Sequence, residues 1–313
     1  MALTIRPMVP ADVAEAERIT RIAFGTFFGV PDPTKFRGDG EAVSGRHHAN
    51  PHGAFVGELD GRPVASGMVM DWGSVAVLGP LAVDPGHWGK GIAHRMMTPM
   101  VDYLDQRDFD FTGLFTHPQS SSHIRLYEQF GFWMRRITGV MMKPVQASTA
   151  SPGYTLFSDL DDAGYENALA ECGTLAGGLH PGLDLSREIR TVTELGLGDT
   201  LMLRRDGAPA GFAICHHGAG SEASSARLLV KFGMVKNDEG GNALFKSLLA
   251  SCEALAARRG APEIAAGANS ERTAAYRLMQ EAGFRTTMNG VIMMRADQPG
   301  YNRANSLVID DWR

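Results

Sequence analysis

The residues best suited to chemistry lie in a glycine-rich turn at positions 79–93, between a buried strand that ends near Val83 and an amphipathic helix. Gly89 and Gly91 remove two side chains, so that the backbone N–H groups of residues 88–93 can point at one ligand. The helix that follows adds the positive end of its dipole. The spacing therefore predicts a site for an anion, and a diphosphate fits it.

This stretch resembles motif A of the GNAT superfamily of acyltransferases, in which a strand, a Val-x-Pro turn and an Arg/Gln-x-x-Gly-x-Gly/Ala loop hold the pyrophosphate of acetyl coenzyme A. Val83 and Pro85 keep their places, Gly91 and Ala93 match the small residues, and Trp88 replaces the Arg or Gln. The resemblance implies acetyl-CoA as the cofactor. It places these residues at the cofactor: Leu81, Ala82 and Val83 on the strand, and Trp88, Gly89, Lys90, Gly91, Ile92 and Ala93 on the loop and helix.

A second stretch, residues 120–132, is similar to motif B of the superfamily, Asn-x-x-Ala-x-x-x-Tyr-x-x-x-Gly-Phe. Three positions match and two are replaced: Tyr127, Gly131 and Phe132 match, Ser120 stands for Asn and His123 for Ala. In the family this tyrosine hydroxyl lies near the cofactor sulfur, so the resemblance implies that Tyr127 is the general acid and that Ser120 lies at the cofactor. Without the resemblance, Tyr127 is an aromatic residue on a helix, which is more often part of a core.

A base could accept the proton of an attacking amine. His117 follows the short apolar strand 114–116, at the end where the thioester is expected, and is the candidate. A turn histidine bonded to backbone is the alternative reading of that position. Glu58 and Asp71, on two hairpin strands, could act through water, and ordered water alone could also take the proton.

The elements that must position these residues follow the order of the GNAT fold. The sequence predicts an opening strand at 3–7, a hairpin over 53–70 that turns at Asp60-Gly61, a strand at 114–116 and a helix over 122–130 that Gly131 ends.

The second half of the chain repeats the first. Gly241 and Ala243 lie 150 positions after Gly91 and Ala93, and a Gly-Phe pair at 283–284 lies 152 positions after residues 131–132. A lag of this size indicates a duplicated domain, because solenoid repeats are far shorter.

The copies differ where chemistry is expected. Asp238 and Glu239 occupy the places of Trp88 and Gly89, and Met279 stands where Tyr127 does. Two carboxylates would repel a diphosphate. We therefore expect the second copy to lack the cofactor site, and to form one wall of the acceptor pocket or to stabilise the first.

These observations predict an α/β protein of two tandem GNAT-like domains, each a mostly antiparallel mixed sheet flanked by helices. The first domain spans residues 1–146, the degenerate second domain 154–296, and the tail 297–313 is expected to pack back on the body. A linker-like composition at 144–153 marks the boundary. A chain of 313 residues exceeds what one core usually supports.

Composition excludes several classes of function. A net charge of −5 gives no electrostatic case for nucleic acid or an anionic membrane. The three cysteines show no metal-ligand spacing, and a histidine-rich stretch at 47–52 is interpreted as a solvated or gating loop, so no metal site is predicted. No signal peptide or membrane span is evident at the start or elsewhere, which predicts a cytoplasmic protein.

The resemblance implies an acetyl-CoA-dependent N-acetyltransferase, in which a primary amine of a small molecule or peptide attacks the thioester directly in the N-terminal domain. One alternative is a non-catalytic acyl-CoA sensor. Another is an enzyme for longer acyl-CoA, since Met96, Met97 and Met100 could line an acyl pocket, although core packing explains them as well. The sequence indicates neither the acceptor nor the oligomeric state.

Overall fold

The computed structural model describes residues 3–146, 153–295, 297 and 299–313. Its N-terminal half begins with a strand and two helices. Further strands then form a sheet on which a long helix packs. In chain order its elements are β1 (Leu3–Pro7), α1 (Val13–Phe27), α2 (Val43–Ala49), β2 (Ala54–Leu59), β3 (Arg62–Trp72), β4 (Val75–Val83), α3 (Ile92–Asp105), β5 (Phe111–Thr116), α4 (Ser121–Glu128) and β6 (Trp133–Pro144).

The C-terminal half repeats this order and ends in one additional short strand. Its elements are β7 (Tyr154–Leu156), α5 (Asp162–Leu179), α6 (Ser186–Glu194), β8 (Gly198–Arg205), β9 (Ala208–Gly218), β10 (Ser224–Val235), α7 (Gly241–Arg258), β11 (Glu263–Asn269), α8 (Thr273–Glu281), β12 (Arg285–Met294) and β13 (Val308–Ile309). Most of the predicted linker, residues 147–152, lies outside the described residues.

Local sequence accounts for several of these elements. Asp60 and Gly61 adopt φ of 50° and 76°, the two left-handed residues that a tight hairpin turn requires, and they join β2 to β3 as predicted. The histidine-rich stretch was predicted as a loop, and that prediction is wrong. It forms helix α2 up to Asn50, with His47 buried and its ring nitrogen 3.4 Å from the Met8 carbonyl.

All the strands join one continuous sheet, in the order β1-β2-β3-β4-β5-β12-β6-β11-β10-β9-β8-β7, with β13 paired to β10. The two halves exchange a strand in its centre. β5 of the first half pairs with β12 of the second, with Thr116 opposite Val291. β11 of the second half pairs with β6 of the first, with Ala268 opposite Gly139. The sequence predicts a mixed sheet in each domain and does not indicate this exchange.

Helices and the tail cover the sheet and form three large cores. One lies under α3 in the first half, and another lies under α7 and α8 in the second. The third joins the halves, because Trp72 and Phe111 of the first pack with residues of α5 and α6 and with Tyr301 and Trp312 of the tail. Within the described ranges, no helix is both long and apolar enough to span a bilayer.

The tail is held by buried polar contacts. Arg272 is fully buried and donates to the carbonyls of Val308 at 3.1 Å and Asp310 at 2.7 Å. The Asp310 carboxylate accepts from the Tyr301 hydroxyl at 2.7 Å, and that hydroxyl accepts from the Trp312 indole at 2.9 Å. A chain end with so many buried partners is part of the core.

Trp312→Ala is expected to lower the melting temperature by roughly 5–10 °C, because emptying a buried tryptophan site costs about 3–5 kcal/mol. Trp312 is only 4 % exposed and stacks on Phe111 with ring centroids 6.0 Å apart. The matched control is Trp133→Ala, since Trp133 is 60 % exposed and its loss should change the melting temperature by about 1 °C or less. Equal shifts in the two variants, measured by calorimetry, would contradict this account of the tail.

Candidate functional site

A wedge-shaped gap opens between β4 and β5 in the first half. The two parallel strands pair only from Val75 opposite Phe111 to Leu78 opposite Leu114. Beyond that point β4 continues to pair with β3 on its other edge, through Leu81, Ala82 and Val83. Its edge toward β5 has no strand partner among the described residues. An extended ligand could therefore add itself to β4 there, by main-chain hydrogen bonds.

The loop after β4 leaves a run of backbone amides unused. The amide of Trp88 donates to the Pro85 carbonyl at 3.2 Å, and the next amide that donates is that of Arg95, to the Gly91 carbonyl at 3.2 Å. The amides of residues 89–94, between them, donate to no atom of the described chain. Six consecutive free N–H groups at a helix start form an anion cradle.

Two glycines keep this cradle open. Gly89 and Gly91 have φ of 74° and 73°, and a Cβ added at either would meet nothing within 4 Å. Ile92 and Ala93 begin α3 directly after them, so the positive end of the helix dipole faces the same space. The residues predicted to hold a pyrophosphate are therefore brought together, and the chemistry of the cradle fits that group.

Trp88 and Lys90 anchor the cradle from its rim. The Trp88 indole donates to the Val83 carbonyl at 2.6 Å, which ties the loop to the end of β4. The Lys90 ammonium donates to the Gly86 carbonyl at 3.0 Å and stays exposed. Trp88 thus replaces a polar contact to the ligand with a contact that shapes the loop.

The equivalent gap of the second half is filled by the chain's own tail. β10 pairs with β11 only at Leu228 and Leu229. Farther along, Met234 and Gly233 pair with Val308 and Ile309 of β13. These two β10 residues lie 152 positions after Ala82 and Leu81, so the tail takes the edge that is open in the first half.

The second loop is closed as well. The Asp238 carboxylate accepts from the Gly240 amide at 3.1 Å and pairs with Arg205. The Asp238 carbonyl accepts from the Gly241 amide at 2.9 Å, and the Leu307 side chain packs directly on Gly241. Protein groups thus occupy the places that a diphosphate and its extension would need.

Tyr127 lies on α4, in the core beneath α3, with its ring edge-on to Phe132 at a centroid distance of 6.5 Å. Burial raises the pKa of Tyr127 to about 12, so its hydroxyl is protonated at neutral pH. A group that keeps its proton at neutral pH can serve as an acid. Ser120 caps the same helix, accepting from the His123 amide at 3.4 Å.

His117 ends β5 inside a group of aromatic rings, which we call the phenylalanine cluster: Phe27, Phe28, Phe36 and Phe115, around His117. The imidazole is 6 % exposed, and its Nδ1 has no hydrogen-bond partner in the described chain. Burial, with a smaller contribution from the charge of His123, lowers the pKa of His117 to about 4. It is therefore neutral at physiological pH and able to accept a proton, although weakly.

The other two candidate bases are already engaged. Glu58 accepts from Arg6 at 2.5 Å, beside β1. Asp71 accepts from the Tyr103 hydroxyl at 3.2 Å and the Gly73 amide at 3.1 Å. Their polar contacts hold the sheet and leave His117 as the titratable side chain at the end of β5.

The lowered pKa of His117 predicts a pH dependence of stability. Because the unfolded chain takes up the proton near pH 6.5 and the folded chain near pH 4, the stability that neutral His117 preserves is complete above pH 6.5 and is lost as the pH falls toward 4. The His117→Phe variant has no imidazole to protonate, so it should not lose this part of the stability at low pH. Urea unfolding of both proteins at several pH values should show wild type losing more stability than the variant across that window, and parallel curves would contradict the prediction.

A buried charged network, which the sequence did not indicate, stands behind the gap. Arg46 of α2 forms a two-pronged pair with Glu222 at 2.7 and 2.8 Å and donates to the Gly79 carbonyl of β4 at 3.0 Å. Lys231 contacts Glu222 at 2.5 Å and Glu188 at 2.7 Å. Burial alone would raise the pKa of Glu188, but Lys231 lowers it to about 2. Arg46 thereby couples the second half to the β4 edge.

The segment before α2 is tied to the second half. Asp39 accepts from the Ser225 amide at 2.9 Å, and Gly40 packs on Ser221 and Ser224. Across the described residues, no group of three or more His, Cys, Asp or Glu side chains is arranged to hold a metal ion.

Comparison with known proteins gives a family match over the first half. Residues 16–132 match the family model described as acetyltransferase (GNAT) family. This range includes the gap, the cradle, His117 and Tyr127. No curated protein matches the sequence.

Solved structures share the whole architecture at low sequence identity. A putative acetyltransferase from Pyrococcus horikoshii is 16% identical, covers 98% of this chain and 92% of its own, and has a TM-score of 0.69. A tandem GNAT protein from the clavulanic acid biosynthesis pathway, solved without AcCoA, is 15% identical over 94% of this chain and 98% of its own, with a TM-score of 0.61. A GCN5-related N-acetyltransferase from Sphaerobacter thermophilus is 19% identical over 95% and 96%, with a TM-score of 0.59. At these identities the likeness establishes the fold, which is that of two tandem GNAT domains.

Proposed function

We propose, because residues 16–132 match the GNAT family model and the fold is that of two tandem GNAT domains, that the chain is an acetyl-CoA-dependent N-acetyltransferase whose catalysis lies in the N-terminal half. The observation that carries this proposal is the contrast between the two gaps. The first has a free β4 edge leading to six unused amides at residues 89–94, and the second has the tail in the same place. Only the first can receive a ligand with an extended arm and a diphosphate.

Residues of the first half would have separate roles in the acyl transfer. The free amides bind the diphosphate of the acyl donor, and the edge at Leu81, Ala82 and Val83 pairs with its amide-bearing arm. The amine nitrogen forms a bond to the thioester carbonyl carbon, and the carbon–sulfur bond breaks. His117, or water beside it, takes the amine proton, and Tyr127 gives its proton to the departing thiolate.

The test is thiol release from acetyl-CoA over a panel of primary amines, together with isothermal titration of CoA. We expect CoA to bind one site per chain and to protect the first loop from hydrogen exchange, with amine-dependent release of thiol. Protection of residues 236–243 instead would refute the assignment to the first half.

Two other functions predict different outcomes of the same experiment. A non-catalytic sensor would bind acetyl-CoA without turnover on any amine. A preference for longer acyl-CoA would require an acyl pocket at Met96, Met97 and Met100, but these side chains are fully buried in the core under α3, which favours the short acetyl group.

We also infer a cytoplasmic location, because Cys172, Cys215 and Cys252 are all buried free thiols.

A further inference from the structure

One arginine, in the loop between α1 and α2, has no counter-ion among the described residues. Arg37 lies between α1 and α2 with φ of 68°, a left-handed conformation that is strained for a residue other than glycine. Its Nη1 is buried without a hydrogen-bond partner, and it makes no ion pair within the described part of the chain. Burial lowers the pKa of this guanidinium, and the carboxylates of Glu222 and Glu17 offset that effect only in part. An uncompensated buried charge is expensive, so the site calls for an anion.

The two carboxylates that act on Arg37, Glu222 and Glu17, pair with other groups, although Oε1 of Glu17 has no hydrogen-bond partner in the described chain and lies 3.6 Å from Arg21. Glu222 is held by Arg46 and by Lys231. Glu17 accepts from the amides of Ala42 and Val43, both at 2.9 Å. The guanidinium therefore stays unpaired, although Arg37 as a whole keeps partial exposure to solvent.

An apolar surface connects this arginine to the end of β5. Phe36, the residue before Arg37, stacks on Phe28 with ring centroids 5.6 Å apart, and Phe28 meets the His117 ring edge-on at 5.0 Å. Phe28 is 38 % exposed, so the phenylalanine cluster is open to a ligand. These ring contacts run from the residue beside Arg37 to His117, and both Arg37 and His117 have a buried nitrogen without a hydrogen-bond partner in the described chain, Nη1 and Nδ1.

We propose that the acceptor is a primary amine that also carries a carboxylate and an aromatic or branched aliphatic group, as in an apolar amino acid. This refinement rests on the proposed function. The carboxylate pairs with Arg37, the apolar group lies on the phenylalanine cluster, and the amine points toward the β4–β5 gap beside His117. An arginine fork matches a carboxylate in shape and charge, which makes the pair selective against neutral analogues.

Matched acceptors test the carboxylate. Thiol release from acetyl-CoA is compared for phenylalanine, phenylalaninamide and phenylethylamine, and for leucine and leucinamide. We expect kcat/KM to be at least about 10-fold higher for the acids, because a site built for a charged group rejects the analogue that lacks it. Equal or better use of the amides overturns the inference while leaving the proposed function intact.

Substitutions at Arg37 test whether this residue causes the preference for acceptors that carry a carboxylate. Arg37→Gln should raise KM for the acids and bring their kcat/KM down to the level of the amides, and Arg37→Lys should recover part of the preference. Lys35→Gln is the matched control, because it removes a cation from the same loop at a side chain that is 82% exposed. An equal loss for acids and amides in Arg37→Gln contradicts the role.

A binding measurement with an unreactive ligand tests the role of Arg37 independently of acetyl transfer. 3-Phenylpropionate has the carboxylate and the ring but no amine, so it can bind without reacting. We expect it to raise the melting temperature of wild type and of Lys35→Gln but not of Arg37→Gln. If no amine is acetylated, the proposed function fails and this shift still decides the site; without a shift in wild type the inference fails.

Discussion

Tyr127→Phe lowers kcat about 100-fold or more, the usual size of a general-acid contribution, while the affinity for acetyl-CoA changes by less than about threefold. The reason is that a general acid must still carry its proton when the thiolate departs. Burial raises the pKa of Tyr127 to about 12, so the proton is present at every working pH. Phenylalanine keeps the ring against Phe132 and removes only the acid.

Two further measurements distinguish an acid from a structural tyrosine. A thioester with a more acidic thiol needs less protonation as it leaves, so the deficit of Tyr127→Phe should shrink with such a donor. Tyr276→Phe is the matched control, because Tyr276 lies on the equivalent helix α8 and its hydroxyl hydrogen-bonds Thr286, at 3.2 Å. A Tyr127→Phe enzyme that retains kcat within threefold of wild type would remove this residue from the mechanism.

Gly89→Asp raises the Kd for CoA by roughly 10–100-fold, because it sets a carboxylate inside the amide cradle, where it repels a diphosphate. Gly89→Asn is the isosteric comparison. Both residues tolerate the left-handed backbone at φ 74°, so the difference between the two variants isolates the charge. We expect the asparagine variant to bind CoA within about threefold of wild type by isothermal titration.

Salt and the second loop supply the controls. The aspartate effect should weaken at high ionic strength, since the cradle is exposed and salt screens its field. Glu239→Gln, in the loop that the tail closes, should leave the Kd unchanged. If Gly89→Asp and Gly89→Asn weakened CoA binding equally, the cause would be the changed backbone at this position and not the charge.

Much of the first half could be predicted because its signals are local. The turn at Asp60-Gly61, the strand before Pro85 and the helix after Gly91 each depend on residues within a few positions. The predicted cofactor residues 81–83 and 88–93 lie at one gap for the same reason, because a strand, a loop and a helix start that are contiguous in sequence stay together in space.

The strand exchange could not be predicted from such signals. β6 and β12 are both apolar in their second halves, and both are antiparallel to each neighbour. Hydrophobic alternation specifies which face of a strand is buried, but it does not specify which strand lies beside it. The pairing is decided by the whole assembly.

The surroundings of Arg37 and the exact position of the tail could not be predicted for a related reason. A single arginine in a loop has no pattern, and its importance arises from neighbours such as Glu222, which is 185 positions away. The tail was expected to pack on the body, but a strand of two residues carries no sign that it occupies the second gap.

The central pairing of β12 with β5 also has a consequence for how the polypeptide is made. During synthesis the ribosome completes Thr116 about 175 residues before Val291, its partner across the sheet, so one edge of β5 stays unpaired until β12 has been made. If residues 1–146 were expressed alone, that edge of β5 would remain unpaired. The product should aggregate, and a separately produced C-terminal fragment added during refolding should rescue it.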